Sequence, residues 1–131
     1  MAAFFGIDER GAQGFIENGL VCLPYSGDGM PDLHCTVSAM RRADIVFIKR
    51  CEPNASLHIR AVGIVQSDFP ITSDDAVCQT VEWVWQGELV LENFDETLSL
   101  CGEPLYEEHN IVVQRHIVDL LPEKYRLPQE W

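Results

Sequence analysis

The sequence predicts an α+β fold: a strongly curved, mostly antiparallel sheet or partly open small β-barrel with two or three short helices at its edge. Three observations predict it. Residues 44–50 (DIVFIKR) and 57–65 (LHIRAVGIV) are apolar, β-branched runs on either side of a turn-like Glu52-Pro53-Asn54, so they read as a hairpin. Residues 77–85 (VCQTVEWVW) alternate in polarity and read as a further strand. Near the end, Val113, Ile117, Leu120 and Leu121 form one apolar stripe at helical spacing. A length of 131 residues suits one core, so residues 1–131 are read as a single domain.

In chain order, 3–7 (AFFGI) is a short strand. Residues 10–18 carry Ala12, Phe15 and Ile16 at helical spacing and stop at Gly19, a suitable left-handed terminus, which predicts a short helix. Residues 20–23 are another strand, 24–31 a Gly- and Pro-rich loop containing Tyr25, and 33–40 one or two helical turns. Both faces of 45–48 and 61–65 are apolar, so the hairpin strands should be central and covered on both sides, or curled into a barrel. Gly63, inside the second run, fits a bend or bulge. Residues 67–75 read as a polar loop. The 77–85 strand puts Val77, Val81, Trp83 and Trp85 on one face and Thr80 and Glu82 on the other. Gln86-Gly87-Glu88 reads as a turn, with 89–91 beginning a return strand. Asn110 is placed to cap the final helix, Glu107 and Glu108 favour its positive end, and Pro122 follows its last apolar turn.

Composition narrows the function classes. The net charge of −12 opposes nonspecific binding of duplex DNA, which depends on Lys and Arg neutralising phosphate. Five of the nine basic residues, Arg41, Arg42, Lys49, Arg50 and Arg60, fall between 41 and 60, whereas 61–114 holds eleven acids and no Lys or Arg. That acidic stretch reads as a solvated face. No window approaches the roughly 20 apolar residues of a membrane span, and the first residues lack a secretory pattern, so a cytoplasmic protein is expected. Cys22, Cys35, Cys51, Cys78 and Cys101 include no C-x-x-C pair. They are therefore expected to be reduced and structural, with no metal site and no cofactor. Walker, G-x-S-x-G, H-E-x-x-H and dinucleotide motifs are absent, and no catalytic residue is assigned. His34 beside Cys35, Asp74 with Asp75, and Glu107 with Glu108 and His109 are weighed as catalytic or metal sets and read instead as structural or solvated.

The segments A-D-I-V-F-I-K at 43–49, L-H-I-R-A-V-G-I-V at 57–65 and V-E-W-V-W at 81–85 resemble the EVE and wider PUA-like superfamily. There, a strand opening with Gly-Asp precedes one like I-R-A-I-G-x-V. The P-D-L at 31–33 also looks like the lead-in of related modules attached to restriction systems, and the likeness spans 14–85. Two departures stand out: the Gly before Asp44 is Ala43, and the amino-terminal Trp of many such domains has no clear counterpart. The resemblance implies a partly closed barrel, a pocket for a nucleotide or modified base, and a bacterial accessory or mobile-element gene.

The site expected on these grounds joins the basic strip Arg41, Arg42, Lys49, Arg50 and Arg60 to Trp83 and Trp85. Phe69 or Tyr25 could add a stacking ring. Its ligand would be a small anion of nucleotide size or a single strand. The same strip could instead be neutralised by neighbouring acids, and the tryptophans could be core or interface. Two alternatives stand beside this non-catalytic binding module: an acidic oligomeric interaction module, and an enzyme using a dispersed His and carboxylate. A pocket lined by aromatic and basic groups favours the first, an exposed apolar face the second, and a buried His touching a carboxylate the third. Trp83 and Trp85 on one side, with Trp131 ending the chain, lead to the expectation of a homodimer.

Overall fold

Side-chain alternation along the strands decides the architecture. The computed structural model describes residues 3–12, 14–24, 36–52, 56–72, 76–91 and 105–122. Among these, seven strands form one curled, half-barrel sheet: β1 (Phe4–Asp8), β2 (Leu20–Pro24), β3 (Ile45–Glu52), β4 (Ser56–Val65), β5 (Ile71–Thr72), β6 (Ala76–Leu91) and β7 (Leu105–Glu107). The order is β2-β6-β4-β3-β1-β7, with β5 also on β6. Only β1–β3 is parallel, so the sheet is mostly antiparallel as expected.

Successive residues feed opposite cores. Phe5, Ile7, Val46 and Ile48 belong to one cluster, which Ala12, Phe15, Val37 and Met40 cover. Phe4, Ile45, Phe47, Leu57 and Ile59 belong to the other, covered by Val113, Ile117 and Leu121. The apolar character of both faces of β3 and β4 follows from this double burial. Val113 and Ile117 sit on helix α2 (Ile111–Leu120), where the Asn110 side chain accepts from the Val112 and Val113 amides at 2.9 and 3.4 Å. The cap and the stripe are where the sequence places them.

Gly63 lies at a register shift between β4 and β6. A Cβ there would run into the Val81 side chain and come within 2.9 Å of the Trp83 ring, so only glycine lets β6 pass this closely.

Four local expectations need correction. The 10–18 helix is split into a 3-10 turn, Glu9–Gly11, and helix α1, Phe15–Asn18, because Gly14 at φ +79° interrupts the ladder. Gly19 ends α1 in the left-handed conformation as expected. The 67–75 segment contains β5. The chain does not turn at 86–88, because β6 continues through it as one 16-residue strand that stays paired with β4 across two register shifts. Val62 and Gly63 face Trp85 and Trp83, so Val84 is an extra residue, and the bulge sends the two rings to different cores: Trp83 to the first, Trp85 to the second. They do not share a face.

The cysteines require the fifth correction. Cys22 and Cys78 are register partners on β2 and β6, with Cα atoms 4.1 Å apart, and their sulfurs are bonded. They lie 56 residues apart in the chain, and spacing alone could not reveal a pair made by strand register. The turn at 53–54, Tyr25, His34, Cys35, Asp74, Asp75 and Trp131 lie outside the described residues. No described helix is long and apolar enough to cross a membrane.

Candidate functional site

On β4 the polar residues Ser56, His58 and Arg60 interrupt an apolar strand at every second position, so one face carries all three. Glu88 from β6 reaches that row. Its Oε1 lies 2.9 Å from His58 Nδ1 and 3.4 Å from both the Arg50 and Arg60 guanidinium groups. Glu9, from the 3-10 turn, meets the same two arginines from the other side, at 3.9 Å to Arg50 and 3.8 Å to Arg60. Two arginines and two glutamates thus close a ring. The hydrogen bond with His58 holds the Glu88 carboxyl below its usual range; desolvation opposes it, and the charges of Arg60 and Arg50 add smaller pulls downward.

The ring borders an open cleft of about 630 Å³ between the 9–17 segment and the sheet. Ala12, Ile16 and Ile48 supply apolar lining, Glu9, Glu17, Arg60 and Gln86 supply polar groups, and Gly87 completes the lip. This volume falls in the range of small-molecule sites. Glu17 has no cationic partner among the described residues.

Beyond the ring, His58 Nε2 stands 3.3 Å from Ser56 Oγ. With Nδ1 donating to Glu88, Nε2 is left as the acceptor for the serine hydroxyl, a tautomer assigned from the contacts. Ser56 itself is buried.

Of the expected basic strip, only Arg50 and Arg60 come together here. Arg41 and Arg42 are exposed before β3. The Arg41 guanidinium donates to the Ser38 and Met40 carbonyls, and the Arg42 amide donates to Asp68. Lys49 is fully buried, 3.4 Å from Asp8 and 5.3 Å above the Tyr106 ring. Lys49 and Arg50 are consecutive on β3, so simple alternation sends Lys49 to the interior and Arg50 to the opposite face. Trp83 donates its indole N–H to the Phe15 carbonyl at 2.9 Å, and neither tryptophan lines the cleft. Phe69 is exposed, before β5. Among the described residues no three His, Cys, Asp or Glu side chains gather as a metal site would need. Glu9, Glu17, Ser56, His58 and Glu88 were not expected in the site. The Ser-x-His-x-Arg alternation within an apolar strand was the visible signal for two of them.

No known family model and no curated protein matches this sequence.

Proposed function

We propose that the protein is a non-catalytic binding module that holds a small polar molecule, of nucleotide, modified-base or similar size, in the cleft beside Arg60. The observation that carries this reading is the cleft itself: its volume suits a small ligand, its lining is partly apolar, and charged groups converge at one side. The resemblance to PUA-like domains supports the same reading, as does Ala43, whose φ of +76° suits the glycine carried there by the domains it resembles. Within that reading the source is a bacterial accessory or mobile-element gene and the setting is cytoplasmic. The homodimer is retained as a proposal, although the opposite burial of Trp83 and Trp85 removes one reason for it. A panel of nucleosides, nucleotides, modified-base oligomers and short single strands titrated against isotope-labelled protein tests the module. Binding should perturb the amides of residues 12–17 and 86–87 first. A panel without any binder ends the reading.

A second reading, an enzyme, is favoured by one series of contacts. Ser56, His58 and Glu88 stand in the order hydroxyl, imidazole, carboxylate at 3.3 and 2.9 Å, the arrangement in which a histidine can take a serine proton. A fluorophosphonate adduct on Ser56 that disappears in His58→Gln supports it. An unlabelled Ser56 in the native protein leaves the binding module alone.

A further inference from the structure

We infer that the cleft discriminates against anionic ligands and takes an uncharged or cationic one; this inference rests on the binding reading above. A cluster of arginines beside a pocket ordinarily signals phosphate, and here the partners reverse that expectation. Arg50 and Arg60 are each held between Glu9 and Glu88, from the 3-10 turn and from β6, at 3.4 to 3.9 Å. Both guanidinium groups remain about 40% exposed, yet an incoming phosphate must compete with two carboxylates already in place. Glu17 adds a further negative charge to the cleft wall. Glu9, Glu17 and Glu88 outnumber the two arginines. The protein as a whole carries −12, so no long-range field offsets this local balance.

The ring therefore acts as a mask. It keeps hydrogen-bond donors and acceptors at the mouth, where a neutral group offering both can insert between arginine and glutamate, while the two positive charges stay cancelled. Removing one carboxylate should unmask them. A single negative charge about 7 Å from a phosphate dianion in water-like surroundings is worth roughly sevenfold in affinity before salt screening, so the effect is large enough to measure.

The test uses three probes with one body: adenosine, 5′-amino-5′-deoxyadenosine and adenosine monophosphate, titrated calorimetrically against the native chain at pH 7.5 and low salt. The amine should bind at least as tightly as adenosine, and the monophosphate about threefold to tenfold more weakly than adenosine. Glu88→Gln should raise monophosphate affinity relative to that of adenosine by a similar factor. Glu9→Gln, which opens the ring from the opposite side, should do the same and guards against a local disturbance at His58. Monophosphate binding tightest to the native protein, or unchanged in both variants, overturns the charge selection while leaving the binding module in place. Failure of all three probes to bind, together with an empty wider panel, removes the module and this inference with it.

Discussion

Lys49 Nζ lies 3.4 Å from the Asp8 carboxylate in the protein interior, with no exposure to solvent. The two residues are register partners on the parallel strands β1 and β3. Arg10 grips the same carboxylate from outside, its Nε and one terminal nitrogen each donating at 3.0 Å. These hydrogen bonds first, and the charges of Lys49 and Arg10 after them, hold the Asp8 carboxyl at about 2 despite burial.

Asp8→Asn should therefore be costly, because it removes a countercharge from a buried ammonium. A loss of about 3 kcal/mol is expected, read as a lower urea midpoint at pH 7. The pH dependence has a definite sign. A carboxyl depressed from 3.8 to about 2 adds stability that is present above about pH 4 and disappears as pH falls toward 2. Native protein should lose about 2 kcal/mol across that window through this group, and Asp8→Asn should lack that part of the slope.

Glu108 behaves in the opposite sense. It is buried between β7 and α2. Its Oε2 accepts from the Asn110 amide at 3.4 Å, and its Oε1 has no hydrogen-bond partner among the described residues. Burial raises its pKa above the usual carboxylate value. A raised acid favours the folded state below its unfolded pKa, and that contribution is lost as pH rises through the folded pKa. Glu108→Gln should accordingly stabilise at pH 7.5, by about 1 kcal/mol, with the gain shrinking toward pH 4.5. Thermal melts at the two pH values check it; an equal shift at both would contradict the titration.

Ala43 is the one non-glycine residue at positive φ among those described, +76°. The turn is held by Asp44, whose carboxylate accepts from the Ala3 and Arg41 amides at 3.1 and 2.8 Å, and by the Ala43 amide donating to Val65 O at 2.9 Å. Ala43→Gly relieves a left-handed alanine and should raise stability by about 1 kcal/mol, while Ala43→Val should lower it. Melting temperatures of the three proteins give the order.

The Cys22–Cys78 bond ties β2 to β6 across a 56-residue separation. Reduction should lower stability by about 2 to 4 kcal/mol, since the unfolded chain regains the freedom the link removes. Thiol titration in denaturant should count two fewer reactive cysteines before reduction than after it. Equal counts and an unmoved melting temperature would show that the pair is reduced in solution.

The hairpin, the terminal helix with its Asn110 cap and the bend at Gly63 were legible in the sequence, because each depends on neighbours in the chain. Apolar runs on both faces of 45–48 already required a covered sheet, and two clusters now cover it. What bulges do was not legible. One extra residue at Val84 divides Trp83 from Trp85, and Arg60 is the extra residue on β4 where Ile59 faces Lys49 and Ala61 faces Ile48. Period two holds only while register holds.

By itself, then, the sequence determined the α+β class, the central hairpin, the capped helix and the placing of basic residues along one pair of strands. The tertiary structure alone decided which of those residues meet, and with what. Glu9 and Glu88 stand 79 positions apart, yet they close on Arg50 and Arg60 because a turn after β1 and the long β6 flank the same face. Cys22 reaches Cys78 for a similar reason. Local propensity and periodicity are written along the chain, whereas electrostatic pairing depends on distances across the sheet, which register and curvature set.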